Sequence, residues 1–447
     1  MSDTETSEKF CIIGAGPCGL TVAKNFQQAG IAFDCYERED DVGGNWYFGR
    51  SSSRCYESAH LISSKRLTEF TDFRMPREFP PYPSHRQVHE YLRSYARQFG
   101  LYDRITFGHS IDRVERPPSG DPAAGWDVWL AGRDAPRRYR GVVVANGHHW
   151  DPKWPQYPGE FAGEVMHSAQ YKSVEQLKGR RVLIVGAGNS GCDIAVEAAQ
   201  HAKAALHSLR RGYHFLPKFL FGRPIDVCGE RLHKMHLPLW LRRWTTGLVV
   251  WAAQGRPQRY GLPAPDHKLF ETHPIVNSQL LYWAGHGDLR FKGDIECLDG
   301  DVVRFVDGSR EPIDLVIYAT GYKLSFPFLD QQHLAWQDER PRLFLNAFHP
   351  QYDDLFVAGL IQPDSGIWGL ADLQAQLMAR YVLSQERDPP RARWFRELKK
   401  GAATDLGHGI HYIDTPRHAI EVEHYHYRRQ LKRLIQRFKK PGRSNTN

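Results

Sequence analysis

The chain lacks the residues that mark several common chemistries. Its seven cysteines, Cys11, Cys18, Cys35, Cys55, Cys192, Cys228 and Cys297, include no CxxC pair, which argues against a dithiol redox centre. Their odd number and scatter also argue against a disulfide framework and point to a reducing, cytoplasmic setting. No apolar run approaches the ~18 residues of a membrane helix, and MSDTETSEK has none of the zones of a secretory leader. Membrane contact is therefore expected to be peripheral at most. There is no HExxH. His85 and His89 stand four apart but have no third ligand nearby, so no metal is expected. No nucleophile triad or acid/base pair stands out. The net charge of +8 is spread along the chain apart from one basic run near the end, which reads as solvated surface and not as a nucleic-acid interface.

The remaining composition is that of a globular protein, with 41% hydrophobic and 25% charged residues in 447, enough for a sizeable core. The length suits about three domains, or two doubly wound domains with an insertion. Two stretches favour the second arrangement. Phe10–Ile13 is a short apolar strand running into Gly14-x-Gly16-x-x-Gly19, with Pro17 and Cys18 inside the loop. Val182–Val185 runs in the same way into Gly186-x-Gly188-x-x-Gly191, with Asn189 and Ser190 inside. A glycine loop between strand and helix makes a tight turn, lets backbone approach a pyrophosphate, and points a helix N-terminus at negative charge.

The residues after the two loops differ. Ala32–Tyr36 is a strand ending in Glu37, 23 residues beyond Gly14, where an acid would hydrogen-bond a ribose. The same offset from Gly186 falls on Leu209, after Ser208 and before Arg210 and Arg211. Guanidinium groups there suit a 2′-phosphate, so the second site is expected to take NADPH. Asp41-Val-Gly-Gly-Asn-Trp46 follows the first acid, and Gly43, Gly44, Asn45 and Trp46 offer backbone that can lie against a flat ligand.

Between and after the loops, Val142–Val144 is a buried strand closing the first unit, and His148–Pro158 reads as a linker. PPSGDPAAG reads as a turn. Residues 213–275 break the βα alternation and read as an insertion. In it Leu237, Trp240, Leu241, Trp244, Leu248 and Trp251 recur at helical spacing, interrupted by Arg242 and Arg243. Packing core or lid is the preferred reading of that stripe, with an interfacial membrane helix as the alternative. Leu315–Tyr318 leads into Ala319-Thr320-Gly321-Tyr322, where the chain returns to the first unit. The tail, 425–443, carries Tyr427, Leu431, Leu434 and Phe438 on one face among many cations and reads as a surface helix docked on its own domain.

Three features coincide: the paired fingerprints, the Ala319-Thr320-Gly321-Tyr322 strand end, and Phe161-x-Gly163-xxx-His167-xxx-Tyr171 ahead of the second fingerprint. Together they resemble the flavin-containing monooxygenase family, from residue 8 to about 385. The resemblance implies an α/β fold of two Rossmann-like domains, the NADPH domain inserted into the FAD domain. The expected parts are 1–155 (FAD), 156–315 (NADPH, with the helical insertion 213–275) and 316–447 (FAD again, with the basic tail). It implies that Gly14, Gly16, Pro17, Cys18, Gly19, Glu37, Gly43, Gly44, Asn45, Trp46, Thr320 and Gly321 serve FAD. Tyr171, Gly186, Gly188, Asn189, Ser190, Gly191, Ser208, Arg210 and Arg211 would serve NADPH. Phe161, Gly163 and His167 would fix the linker.

The implied reaction passes one oxygen atom from O2, through a flavin C4a-(hydro)peroxide, to a small-molecule amine nitrogen or sulfide sulfur. Tyr171 at the end of the signature favours this branch over Baeyer–Villiger members, which usually carry Trp there. One position departs from the family, which usually has Asn three residues before the lysine of HLISSKRLTEFTDF; this chain has Ile62 before Lys65. Ser63 and Ser64 are the nearest polar substitutes. Baeyer–Villiger oxygenation and an uncoupled NADPH oxidase releasing H2O2 stay open, as do a homodimer and, from outside enzymology, a nucleotide-dependent scaffold using the basic tail.

Overall fold

Apolar strands followed by glycine turns dictate a parallel sheet, because each strand must return over a helix to lie beside the last. The computed structural model, which describes residues 7–117, 124–401 and 405–439, contains two such sheets. In the first, β1 (Ser7–Ile13) leads through the glycine loop into α1 (Pro17–Ala29) and β2 (Phe33–Tyr36). The chain later supplies β3 (Ile105–Thr106), the antiparallel pair β4 (Ile111–Glu115) and β5 (Trp126–Leu130), and β6 (Arg137–Val144). The strand order is β3-β2-β1-β6-β5-β4. Most of the PPSGDPAAG turn lies outside the described residues.

The second sheet is built from the middle of the chain. Its strands are β7 (Glu164–His167), β8 (Arg181–Val185), β9 (Ala204–Ser208), β10 (Leu289–Lys292) and β11 (Leu315–Tyr318), in the order β10-β9-β8-β11-β7, all parallel. Helix α2 (Asn189–His201) crosses from β8 to β9. The chain then returns: β12 (Leu355–Val357) pairs in parallel with Val142–Val144 of β6, while Arg137–Tyr139 of the same strand pairs with β5. The first sheet therefore draws on both ends of the described chain and the second on the middle.

The returning helix α3 (Trp368–Arg387) packs along α1 around a buried polar knot. Asp372 accepts hydrogen bonds from Thr21 Oγ1 (2.6 Å), Asn25 Nδ2 (2.8 Å) and Lys24 Nζ (3.0 Å). Removing one partner of such a buried pair costs about 3–5 kcal/mol, because the other charge stays buried. The C-terminal helix α4 (His424–Lys439) docks on this layer with Tyr427, Leu431 and Ile435 buried, as the sequence led one to expect of the tail; residues 440–443 lie outside the described chain. The Tyr427 hydroxyl donates to Leu345 O and accepts from Gln374, each at 2.7 Å.

The insertion corrects one expectation. Residues 239–254 do form a helix, but its apolar stripe is not core: Trp240 is 68% exposed, Trp244 62%, Trp251 54% and Leu248 47%. The arginines turn inward instead. Arg242 is buried against His233, and Arg243 donates to Leu269 O and to Glu271. Periodicity separates two faces of a helix without saying which faces in, and here the His233 ring, the Leu269 carbonyl and the half-buried Glu271 carboxylate draw the guanidinium side. No helix among the described residues is long and apolar enough to cross a membrane. Replacing Trp240 and Trp244 by Ser should leave the thermal midpoint within about 2 °C, whereas Trp126→Ala, at a site with no exposed surface, should cost about 3–5 kcal/mol by urea unfolding.

Candidate functional site

Each glycine loop is held by the end of a neighbouring strand. A side chain at Gly19 would place its Cβ 1.8 Å from Gly14 O, and one at Gly14 would meet Ala145 O at 2.8 Å. The second loop repeats this: Gly191 would meet Gly186 O at 2.2 Å, and Gly186 would meet Ala319 O at 2.6 Å. Gly14 and Gly186 both turn with positive φ, +102° and +109°. The helices that follow start on Gly16 and Gly188, with no side-chain cap bond at either N-terminus. Free N–H groups at two helix starts are donors for pyrophosphate.

The two loops face different chemistry. Glu37 is 5% exposed; Oε2 accepts Ala15 N–H at 2.7 Å and Oε1 accepts Glu39 N–H at 3.0 Å. Burial pushes its carboxyl above the usual range, and those two N–H groups only partly oppose it. An acceptor-only group at this edge suits ribose hydroxyls and repels phosphate. Gly43 N–H donates to Ala15 O (3.1 Å), and a Cβ on Gly44 would lie 3.1 Å from Gly16 Cα, so 43–44 and the loop form a surface open only to backbone. Asn45 Oδ1 accepts Arg54 N–H at 2.6 Å, which fixes the turn. Trp46 packs against the cores of both sheets and edge-on to Trp368. Cys18 packs against Gly359, and burial pushes its thiol up to about 12.

At the second loop Arg210 is exposed and Arg211 pairs with Asp266 at 2.8 Å. A third cation, Arg417, brings its guanidinium within 3.6 Å of where a Gly188 Cβ would stand. It comes from a distant segment with no motif around it, and sequence reasoning missed it. Ser190 sits at the helix start, half-buried. Two assigned residues are occupied with the fold itself. The Asn189 amide bridges Pro274 O and Val276 N–H, tying the loop to the insertion, and the buried Ser208 hydroxyl donates to Gly293 O at 2.7 Å.

The signature segment makes the join between the sheets. His167 has no exposed surface; its Nε2 bonds Gly321 O at 3.1 Å and its Nδ1 accepts Ala169 N–H at 3.1 Å, which fixes a neutral Nε2–H tautomer. Burial lowers its pKa to about 4. Gly321 O also accepts Lys153 N–H, and Thr320 Oγ1 donates to Lys153 O at 2.5 Å, so linker, strand end and signature share one knot. A Cβ on Gly163 would meet Phe161 at 2.6 Å and Asp314 O at 2.8 Å. Tyr171 is fully buried and its hydroxyl donates to Glu197 of α2, which seats that helix.

In the segment 60–73 Ile62 faces the insertion, packing on Leu216, Leu220, Ile225, Leu269 and Val276. Ser63 Oγ bonds Thr68 Oγ1 at 2.8 Å, and the buried Ser64 donates its N–H to Asp226 Oδ2 at 2.6 Å. His89 bonds Val42 O and His85 bonds Glu57 O, ordinary structural contacts. His233, Glu423 and His426 do bring ligand atoms within 4.8 Å of one another. However, Arg242 donates to His233 Nε2 at 2.5 Å, and Glu423 accepts Tyr425 and His426 N–H at the start of α4. The group therefore reads as a latch between insertion and C-terminal helix. Burial raises the Glu423 carboxyl, but His426, His233 and the backbone outweigh it and hold it at about 2.

An acid-lined and a cation-lined nucleotide loop, joined by one knot, define an oxidoreductase that brings two dinucleotides together. The flavin-binding monooxygenase-like family model matches residues 7–439, and the chain belongs to that family. Flavin-containing monooxygenase 5 of Rattus norvegicus is 31% identical, covering 96% of this chain and 83% of the relative. Dimethylaniline monooxygenase [N-oxide-forming] 2 of the same organism is 32% identical over 83% of this chain and 73% of its own. Among solved structures, oxidized steroid monooxygenase bound to NADP aligns with a TM-score of 0.70 at 16% identity, covering 97% of this chain and 99% of that one, a likeness of fold. The family makes the protein a flavin-binding monooxygenase, and FAD and NADPH are the groups expected at its two loops. The uncapped helix starts, the acid of the first loop and the cations of the second fit those groups.

Two outcomes test this site. Gly191→Ala should weaken NADPH binding at least ~10-fold, about 1.4 kcal/mol, while the FAD-to-protein absorbance ratio stays near wild type. His207, completely buried, bonds Gly186 O through Nε2 and has its pKa lowered to about 4 by burial. The unfolded chain takes up that proton first, near pH 6.5, so stability is full above that pH and is lost as pH falls toward 4. His207→Gln should reduce the pH slope of the urea midpoint in that window by up to ~1 proton.

Proposed function

We propose that this enzyme inserts one oxygen atom of O2 into a soft nucleophile, an amine nitrogen or a sulfide sulfur, the second atom leaving as water with two electrons from NADPH. In this reading residues 1–155 and 316–447 form the FAD-binding unit, nested around an NADPH-binding unit at 156–315 that carries the insertion 213–275. The supporting observation is the contrast between the loops: Glu37 is buried at the edge of one, while Arg210, Arg211 and Arg417 surround the other. FAD, when bound, supplies the electron transfer from NADPH to O2.

The chain's own residues bind, orient and shield. Gly14–Gly19 and Glu37 hold the adenosine half of the first dinucleotide, and Gly43–Trp46 line its path toward the join. Gly186–Gly191, Arg210 and Arg211 hold the second, Arg211 keeping its bond to Asp266 as a brace. The knot of His167, Gly321 and Lys153 fixes the two loops that would hold them relative to each other, and excluding water between them would be the protein's part. A soft nucleophile needs no general base from the protein. The Tyr ending of the signature and the relative named for N-oxide formation favour nitrogen or sulfur over carbonyl oxygenation.

The test is NADPH oxidation by the yellow, FAD-loaded enzyme with a tertiary amine, a thioether and a cyclic ketone, read with product mass and H2O2. Faster NADPH loss with the amine or thioether and a product one oxygen heavier is expected. Ester from the ketone alone, or H2O2 alone, overturns the reading in favour of a Baeyer–Villiger enzyme or an oxidase. Arg211→Ala should raise the KM for NADPH by ~10–100-fold, the loss of a charge-assisted bond of about 1.5–3 kcal/mol, and leave any turnover with NADH nearly unchanged.

A further inference from the structure

The middle glycine of the second loop is bare for a reason its neighbours do not share. Gly186 and Gly191 are pressed on backbone, at Ala319 O and Gly186 O, but a Cβ at Gly188 would meet no backbone closer than Ala319 O at 4.0 Å. What stands over it is the Arg417 guanidinium, at 3.6 Å. At the first loop a Cβ on Gly16 would instead face the backbone of Gly44, 3.6 Å from its Cα, with no cation within 4 Å among the described residues. The middle glycine of this fingerprint is the one that lets a pyrophosphate come down on the backbone. A cation therefore covers the phosphate-facing side of one loop and not of the other.

Arg417 is carried there by a strap. Ile413 N–H donates to Glu271 O of the insertion at 2.9 Å. Beyond the turn, Ile420 O accepts Gln362 N–H at 2.8 Å, Glu421–Val422 pairs with Gln362–Pro363, and Arg340 donates to Ala419 O. The strap is thus anchored on the returning part of the chain, and its turn lies over a loop of the middle part. It arrives without a counter-ion. Asp266 is taken by Arg211 and Glu421 by His273 (3.2 Å), and among the described residues no carboxylate pairs with Arg417. Next to it, His418 bonds Thr415 Oγ1 through Nδ1 at 2.8 Å, but its buried Nε2 has no partner among the described residues. Burial, with Arg417, His273 and Arg211 around it, lowers the His418 pKa to about 3. The uncapped start of α2 carries partial positive charge of its own, so a guanidinium placed on it is unfavourable until an anion lies between them.

We propose that Arg417 is the pyrophosphate clamp of the NADPH site, supplied to the second glycine loop by the other nucleotide-binding unit. Its part differs from that of Arg210 and Arg211, which stand at the strand end where a 2′-phosphate is read. The guanidinium and the N–H groups at the start of α2 hold the diphosphate between them, so the dinucleotide itself closes the strap onto the loop. The inference rests on the NADPH assignment above and deepens it, since one binding residue comes from the unit that holds FAD.

The experiment is calorimetric binding to the FAD-loaded protein of NADP+, which carries the diphosphate and the 2′-phosphate, and of 2′-AMP, which carries the 2′-phosphate alone. Arg417→Ala should weaken NADP+ by ~10–100-fold and 2′-AMP by less than ~2-fold, whereas Arg211→Ala should weaken both. Arg417→Lys, which keeps the charge, should recover most of the NADP+ affinity. NADP+ bound by Arg417→Ala as tightly as by wild type, or an equal loss for both ligands, overturns the proposal, as does Arg417→Lys binding no better than Arg417→Ala. Should Arg417→Ala lose its fold by circular dichroism, Arg417→Gln decides in its place. Wild type that binds neither ligand overturns the NADPH reading itself, whereas wild type that binds both without regard to Arg417 overturns only the clamp.

Discussion

The close approach of backbone to backbone at the two glycine loops is the constraint on which the rest of the structure depends. At Gly19 and Gly191 no side chain fits, because the helix start lies against the carbonyl of the loop's own first glycine. Gly14 and Gly186 are in turn pressed onto the ends of the adjacent strands, at Ala145 and Ala319. This packing brings strand, turn and helix close enough for uncapped N–H groups to point outward at one place. It also explains why both strand ends run on into glycine, at Gly147 and Gly321, where the chain must leave the sheet at once with positive φ.

From that constraint follows the join. Gly321, just past the strand that presses on Gly186, offers its carbonyl to His167 and Lys153 together. The signature histidine is therefore an acceptor-and-donor wedge between the linker and the second sheet, not an acid or base. Its neutral state is dictated by the two bonds it makes, since Nδ1 must accept from Ala169. Trp46 completes the arrangement from the other side, packed on both cores. The two nucleotide loops are fixed relative to each other by contacts made with backbone atoms, which tolerate little displacement.

The fold was largely legible in the sequence because glycine spacing and apolar runs encode backbone needs directly. The contrast of Glu37 with Arg210 and Arg211 was legible for the same reason, being counted from the glycines. What failed to show was anything set by a partner far along the chain. Arg417 reaches Gly188 from a segment without a pattern. Asn189 lies in the second fingerprint and Ser208 at the end of the strand after it, yet the fold consumes their polar atoms at Pro274, Val276 and Gly293. The tryptophan stripe in 239–254 was visible, but its direction was decided by acceptors for Arg242 and Arg243 that lie outside the helix.

The same reasoning bears on Ile62. In the fold its side chain packs on the insertion's apolar cluster, and beside it Asp226 of the insertion accepts the buried Ser64 N–H at 2.6 Å. Without that carboxyl the Ser64 N–H would lose its acceptor. Both contacts join segments far apart along the chain, so what the isoleucine packs against is decided by a partner that its own sequence neighbourhood does not reveal.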